Sequence, residues 1–157
     1  MLVISMVMIE TPEPASLDYQ ILVQFLYSKS SIRPRTLADN LNIRHSTINS
    51  ALKRMESEGY LTWQLYGNLE LTTKGKNALK HVEVHYHLIE VFLVDSLGMT
   101  PEEAREESMR LAPHFSCTMI KKICDKYDNP EYCPENMKIP DYPQCHTHEE
   151  QRRKVSL

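Results

Sequence analysis

The sequence predicts a mainly α-helical chain with a small β wing: an N-terminal winged helix-turn-helix followed by an all-helical domain. Three observations predict it. Residues 36–57 carry two short helical patterns joined by a tight turn. Leu61, Trp63 and Leu65, then Leu69 and Leu71, alternate on either side of Tyr66-Gly67-Asn68, which reads as a hairpin. Beyond it, Leu79, Val82, Tyr86, Ile89 and Leu93 step by three and four, which reads as one long helix.

The elements follow in order. Met1 to Ile9 is apolar but has neither a basic start nor a small-residue cleavage site, so it reads as a short strand, an ordered arm or an over-long start and not as a signal peptide. Pro12 and Pro14 separate it from a first helix opened by Ser16 or Leu17, with Tyr19, Leu22, Val23, Phe25 and Leu26 at helical spacing. Thr36 is the expected N-cap of the second helix, whose buried side is Leu37, Ala38 and Leu41 and whose end is Asn42 in the left-handed conformation. Ser46 or Thr47 is expected to start the third helix, with Ile48, Leu52 and Met55 facing inward and Gly59 stopping it. Thr72 or Thr73 caps the long helix, which reaches about Leu97. Thr100-Pro101-Glu102-Glu103 is a capping-box start with proline at the first position. That helix ends near Pro113, and Ser116 caps a last one through about Tyr127. From Asp128 the chain is proline-rich. The domain reading is an arm over 1–16, the winged module over 17–76, the helical domain over 77–140 and a Cys/His tail over 141–157.

Net charge is −3, but it is uneven: residues 1–80 carry nine Lys/Arg against seven Asp/Glu, and residues 81–157 nine against fourteen. A mildly basic front half fits a chain that meets DNA through one face. A recognition helix needs small polar residues at its start and cations on its flanks. Arg44, His45, Ser46, Thr47, Asn49, Ser50, Lys53 and Arg54 supply that face, and Arg35 lies just before the second helix. The expected partner is a double-stranded operator. Gly-x-Ser-x-Gly, His-Glu-x-x-His and paired nucleotide-binding glycines are all absent, so neither an enzyme nor a small organic substrate is expected. No apolar run has transmembrane length. Four cysteines without a secretory signal point to the cytoplasm, with thiols or metal ligands instead of disulfides.

The runs Thr36 to Leu41 (TLADNL), Ser46 to Leu61 (STINSALKRMESEGYL) and Leu69 to Gly75 (LELTTKG) resemble the diphtheria toxin repressor and manganese transport regulator (DtxR/MntR) family. His87 to Gly98 resembles its first dimerisation helix, Glu102 to Leu111 its second, and Asn129-Pro-Glu-Tyr-Cys-Pro134 with Ile139-Pro140 its closing segment. The resemblance implies a homodimer that binds divalent Fe or Mn as corepressor and silences metal-uptake genes. It also implies the short form, since the SH3-like third domain of longer members has no counterpart here.

The family's ligand positions are partly replaced. Glu90 is kept, but four residues before it, where the family has histidine, stands Tyr86, flanked by His85 and His87. On the second dimerisation helix Met109, Ala112 and Pro113 fall where ligands are expected, and Arg105 where some members keep histidine. Three readings stay open. One is a rearranged site drawn from Asp18, His85 or His87, Glu90, Met109, His114 and Cys117; at i, i+3 and i, i+4 spacing, His87 with Glu90 and His81 with His85 can pair on one helix. Another moves sensing to Cys117, Cys124, Cys133 and Cys145 with His146 and His148, as zinc or an iron–sulfur cluster, although the intervals of six, eight and eleven residues match no standard finger. The last is a winged-helix dimer or protein-interaction module without a sensor metal.

Overall fold

A computed structural model describes residues 16–28, 31–63 and 67–142 of the chain. These fall into two compact units divided within one long helix, between Leu79 and Lys80.

The first unit is built from α1 (Leu17–Tyr27), α2 (Pro34–Leu41), α3 (His45–Ser57), β1 (Leu61–Trp63) and β2 (Leu69–Leu71). Ser16 caps α1, its hydroxyl accepting from the Tyr19 N–H at 3.1 Å. Helix α2 starts two residues before the predicted Thr36, because Pro34 occupies the first turn with its φ already helical. Asn42 ends it at φ 53°, as predicted, and its N–H closes back on the Ala38 and Asp39 carbonyls. Helix α3 also begins earlier than predicted, at His45, with Arg44 as an N-cap that offers no side-chain bond. Ile48, Ala51, Leu52 and Met55 form its buried stripe. They pack with Ile21 and Leu22 of α1, Leu37 of α2 and Leu61 and Leu69 of the wing as one apolar core.

The wing pairs antiparallel, Leu61 opposite Leu71 and Trp63 opposite Leu69. Ile32, between α1 and α2, adds an isolated antiparallel bridge on the other side of Leu69, whose N–H bonds the Ile32 carbonyl at 2.9 Å. Glu56 fixes the wing to α3 by accepting from the Trp63 N–H at 2.9 Å. Gly59, at φ +84°, lets the chain reverse between α3 and β1.

Gly75 is required for another reason. A Cβ there would lie 1.9 Å from the Tyr60 carbonyl oxygen, an atom that also accepts from the Thr72 N–H. Backbone on both sides must shift to admit a methyl group. Gly75→Ala is therefore expected to destabilise the protein by about 1–3 kcal/mol, read as a lower urea midpoint. An unchanged midpoint would show that the two backbones are not in contact in solution.

The long helix α4 (Thr73–Leu97) leaves the wing and enters the second unit, followed by α5 (Pro101–Leu111), a 3-10 turn (Ala112–His114) and α6 (Cys117–Lys126). The predicted capping box is present: the Thr100 hydroxyl accepts from the Glu103 N–H, and the Glu103 carboxylate from the Thr100 N–H. Ser116 caps α6 through the Met119 N–H. One difference from the sequence reading matters. Helix α4 was expected to bury a stripe, yet every residue from 84 to 91 is buried. A helix enclosed on all sides is a core helix, and here its buried residues include His85, His87 and Glu90.

After α6 the chain turns through Asp128 and Asn129, both at positive φ, into a small loop. Tyr132 bridges Lys138, the Ile139 N–H bonds the Glu131 carbonyl, and the Cys133 N–H bonds the Met137 carbonyl. Asn136, at φ 63°, makes the tight turn and donates to the Cys133 carbonyl. This framework holds Cys133 buried while Tyr132 and Met137 stay exposed.

Candidate metal centres and nucleic-acid interface

Arg44, His45, Ser46, Thr47, Ser50 and Lys53 are exposed on the N-terminal half of α3, with Asn49 half-buried. The Ser50 hydroxyl donates to the Ser46 carbonyl at 2.9 Å, so only its lone pairs face outward. Arg35 is exposed on the first turn of α2. A groove runs between the start of α2, the outer face of α3 and the wing, lined by Arg33, Arg35, His45, Asn49, Lys53 and Trp63. Three cations and a histidine against one carboxylate, Glu56, in one concave surface suit a phosphate backbone.

Arg54 differs from the others. Its guanidinium grips the Asp18 carboxylate with both Nε and Nη2, the former at 3.1 Å to Oδ2. This bidentate pair ties α1 to α3, and among the described residues Asp18 joins neither group of ligand-type side chains. The pairing is not legible in the sequence, because the two residues lie thirty-six apart.

The second unit collects two groups of ligand-type side chains, each with donor atoms within 4.8 Å of one another. The first is His81, His85 and Cys117. His81 and His85 stand one turn apart on α4, with rings 4.5 Å apart edge to face. The Cys117 sulfur, at the start of α6, lies 3.1 Å from His81 Nε2 and 3.6 Å from His85 Nε2. Tyr142 stacks on the outer face of His81 at 4.5 Å. Burial pushes the His85 pKa down to about 3, helped by the neighbouring His81 and opposed by hydrogen bonds to the backbone of Phe115 and Ala112. Burial lowers His81 as well. Both rings are thus neutral near pH 7, the form that coordinates a metal. His81 and Cys117 are half-exposed, so this group is reachable from solvent.

The second group is His87, Glu90 and Cys133, which are 3%, 1% and 4% exposed. His87 Nδ1 lies 2.8 Å from Glu90 Oε2, and its Nε2 lies 3.6 Å from Glu83 Oε1. Burial lowers the His87 pKa, but hydrogen bonds with Cys133, Glu83 and Glu90 outweigh it and hold it raised, to about 11. The other Glu90 oxygen, Oε1, is buried without a hydrogen-bond partner among the described residues.

The predicted ligands therefore redistribute. Cys117 joins His85, and Cys133 joins His87 and Glu90. His81, which the sequence reading noted only as a possible pair for His85, completes the first group. His114 joins neither group and lies exposed on the 3-10 turn, and Met109 is exposed on α5. Tyr86, in the family's histidine position, is buried with its ring tilted against His87. Arg105 pairs with Glu135 at 3.6 Å. Cys124 is buried, its thiol donating to Asn129 Oδ1 at 3.0 Å, and it joins neither group. Among the described residues Cys117 and Cys133 stand in different groups, and neither group contains two cysteines. Cys145, His146 and His148 lie outside the described residues.

The donor sets fit a divalent transition ion. Two neutral imidazoles with a thiol, and an imidazole, a carboxylate and a thiol, are the donors such ions take. The bare oxygen of Glu90 is the kind of orphan that an ion would satisfy.

Comparison with known proteins agrees with this layout. Residues 72–141 match the family described as iron dependent repressor, metal binding and dimerisation domain. Residues 16–62 match a winged helix-turn-helix DNA-binding family. The transcriptional regulator MntR of Oceanobacillus iheyensis is 26% identical over 115 residues, 73% of this chain and 78% of that protein. A helix-turn-helix regulator of Methanocaldococcus jannaschii is 29% identical over 102 residues, 63% of this chain and 82% of that one. Among solved structures, a manganese-dependent transcriptional repressor in complex with manganese superposes with a TM-score of 0.70 at 23% identity, covering 79% of this chain and 58% of that chain. ScaR with bound cadmium gives a TM-score of 0.67 at 25% identity, covering 83% and 61%. The chain thus spans about three fifths of the length of those two proteins.

Proposed function

The chain belongs to the diphtheria toxin repressor and manganese transport regulator family, and from that premise we propose that it is a metal-dependent DNA-binding regulator acting as a homodimer, a repressor of metal-homeostasis genes. The observation that carries the reading is the course of α4. It leaves the DNA-binding wing and, within one helix, bears four of the six clustered donor side chains: His81, His85, His87 and Glu90.

The sensing site on this reading is His81, His85 and Cys117. It is the group open to solvent, and it joins α4 to the start of α6. A bound divalent ion supplies the positive charge that draws the Cys117 thiolate and the two imidazoles together. His85 is kept neutral by burial, and Tyr142 packs over His81 and narrows water's access. A ligand that binds one conformer more tightly shifts the population toward it, and here the favoured conformer is the one whose paired α3 helices fit two half-sites. Of the Fe or Mn implied by the resemblance, a thiolate with two imidazoles favours Fe(II), or else Zn(II), over the harder Mn(II). Manganese and cadmium in the similar structures belong to those proteins.

The dimer is proposed to form through the second unit, where Leu97 and Met119 are among the exposed large apolar side chains. Among the described residues no helix is long and apolar enough to cross a membrane, and a cytoplasmic DNA-binding protein is the reading adopted.

The test is binding to a fragment of the gene's own promoter, followed by fluorescence anisotropy under anaerobic Fe(II), under Zn(II) and under chelator, with salt titrated. The expected result is specific, metal-dependent binding by a species that light scattering shows to be a dimer. Equal binding to promoter and random duplex under every metal condition would overturn it.

A further inference from the structure

We propose that His87, Glu90 and Cys133 form a second metal site, buried and structural, which holds a divalent ion of the zinc or ferrous class and staples the loop over residues 131–139 to α4. The site is separate from the sensing group in every ligand, and it is closed where the other is open.

Four observations carry it. All three side chains are enclosed, and their donor atoms come from two segments forty-three or more residues apart yet lie within 4.8 Å of one another. At zinc bond lengths, tetrahedral donors sit roughly 3–4 Å apart, so only a small contraction is needed. Glu90 has one oxygen bonded to His87 and the other, Oε1, bare and buried. A simple imidazolium–carboxylate pair would leave that oxygen desolvated with nothing to compensate it. Coordination by both oxygens would let Glu90 fill two positions of a distorted four-coordinate site. Glu83 faces the far nitrogen of His87, the arrangement in which a carboxylate orients a metal-binding imidazole from behind. The charges also close: a dication with one thiolate, one carboxylate and one neutral imidazole sums to zero, as a dry site demands. Loading displaces the Cys133 thiol proton and the His87 ring proton to solvent.

The loop explains the use. It has three internal backbone bonds and the buried Ile139, with no helix or extended sheet to hold it. Small units often take their missing stability from a structural ion.

The proposal does not need the chain to bind DNA, and its test reads metal alone. Protein purified without a tag is stripped and titrated with Co(II), with stoichiometry read by native mass spectrometry and thiolate ligation by the cobalt charge-transfer absorption. Cys133→Ser is expected to lose one equivalent relative to the parent chain, with its share of the absorption. Cys117→Ser should lose a different one, and the double variant both. Glu90→Gln, which keeps the shape of the side chain, should weaken the Cys133-dependent equivalent by at least about 10- to 100-fold and carries the test if Cys133→Ser does not fold. Adding Zn(II) to stripped Cys117→Ser protein should raise its Tm. An equivalent count and absorption unchanged by both Cys133→Ser and Glu90→Gln would overturn the site, whatever the DNA result.

Discussion

Thr47→Glu is expected to lower operator affinity by at least about a hundredfold while leaving fold, dimer and metal content intact. The magnitude follows from placement. Thr47 is exposed in the first turn of α3, beside Ser46 and below Arg44 and His45. A small hydroxyl there can approach phosphates and base edges. A carboxylate in its place meets phosphate charge at close range, and a dimer suffers this twice. With each encounter worth roughly 1.5–3 kcal/mol at an effective dielectric near 20, the pair removes two to four powers of ten. Stability argues the other way, which is what makes the variant informative. Thr47 is the third helical residue of α3, a helix with no acidic residue in its first turn. A carboxylate there complements the helix dipole and adds a few tenths of a kcal/mol. Anisotropy on promoter DNA beside thermal unfolding checks both halves. Normal affinity would remove the start of α3 from the interface.

The first unit was legible because its determinants are local. Apolar spacing in α3, the Asn42 turn and the alternating wing each lie within a dozen residues, and among the described residues each element is present in the predicted order. The errors were of capping: Pro34 and Arg44 start helices that the nearest Ser or Thr was expected to start. Ile32 was missed because a single strand rung has no period to detect. The ligand groups were only half legible. The spacing of His81 to His85 and of His87 to Glu90 puts each pair on one side of α4, and that much was visible. Which cysteine meets which pair depends on where α6 and the closing loop return, thirty-two to forty-six residues later, and no local pattern encodes it. The enclosure of α4 was hidden for a related reason. Two buried histidines and a buried glutamate interrupt the apolar run, so a core helix reads as an amphipathic one.

Cys117→Ser is expected to abolish the metal response of DNA binding and to leave the metal-free affinity untouched. The sulfur is the one donor of the open group that can bring a negative charge to an ion, and it is flanked by two imidazoles that burial keeps neutral. A serine hydroxyl does not ionise near pH 7, so the substituted group offers an ion two neutral nitrogens and a poor oxygen. Its packing cost is small, because Cys117 is only half-buried at the first residue of α6 and Ser116 still caps that helix. Coupling between an effector and a ligand site is typically 1–3 kcal/mol, so adding Fe(II) or Zn(II) to the parent chain should raise promoter affinity about 5- to 150-fold, and in the variant hardly at all. Cys133→Ser provides the contrast: on the assignment above it lowers Tm and the ion count, yet a chain that still folds keeps its metal response through His81, His85 and Cys117. If instead Cys117→Ser titrates with metal as the parent does while Cys133→Ser loses the response, the roles of the two groups are exchanged, and the buried one is the sensor.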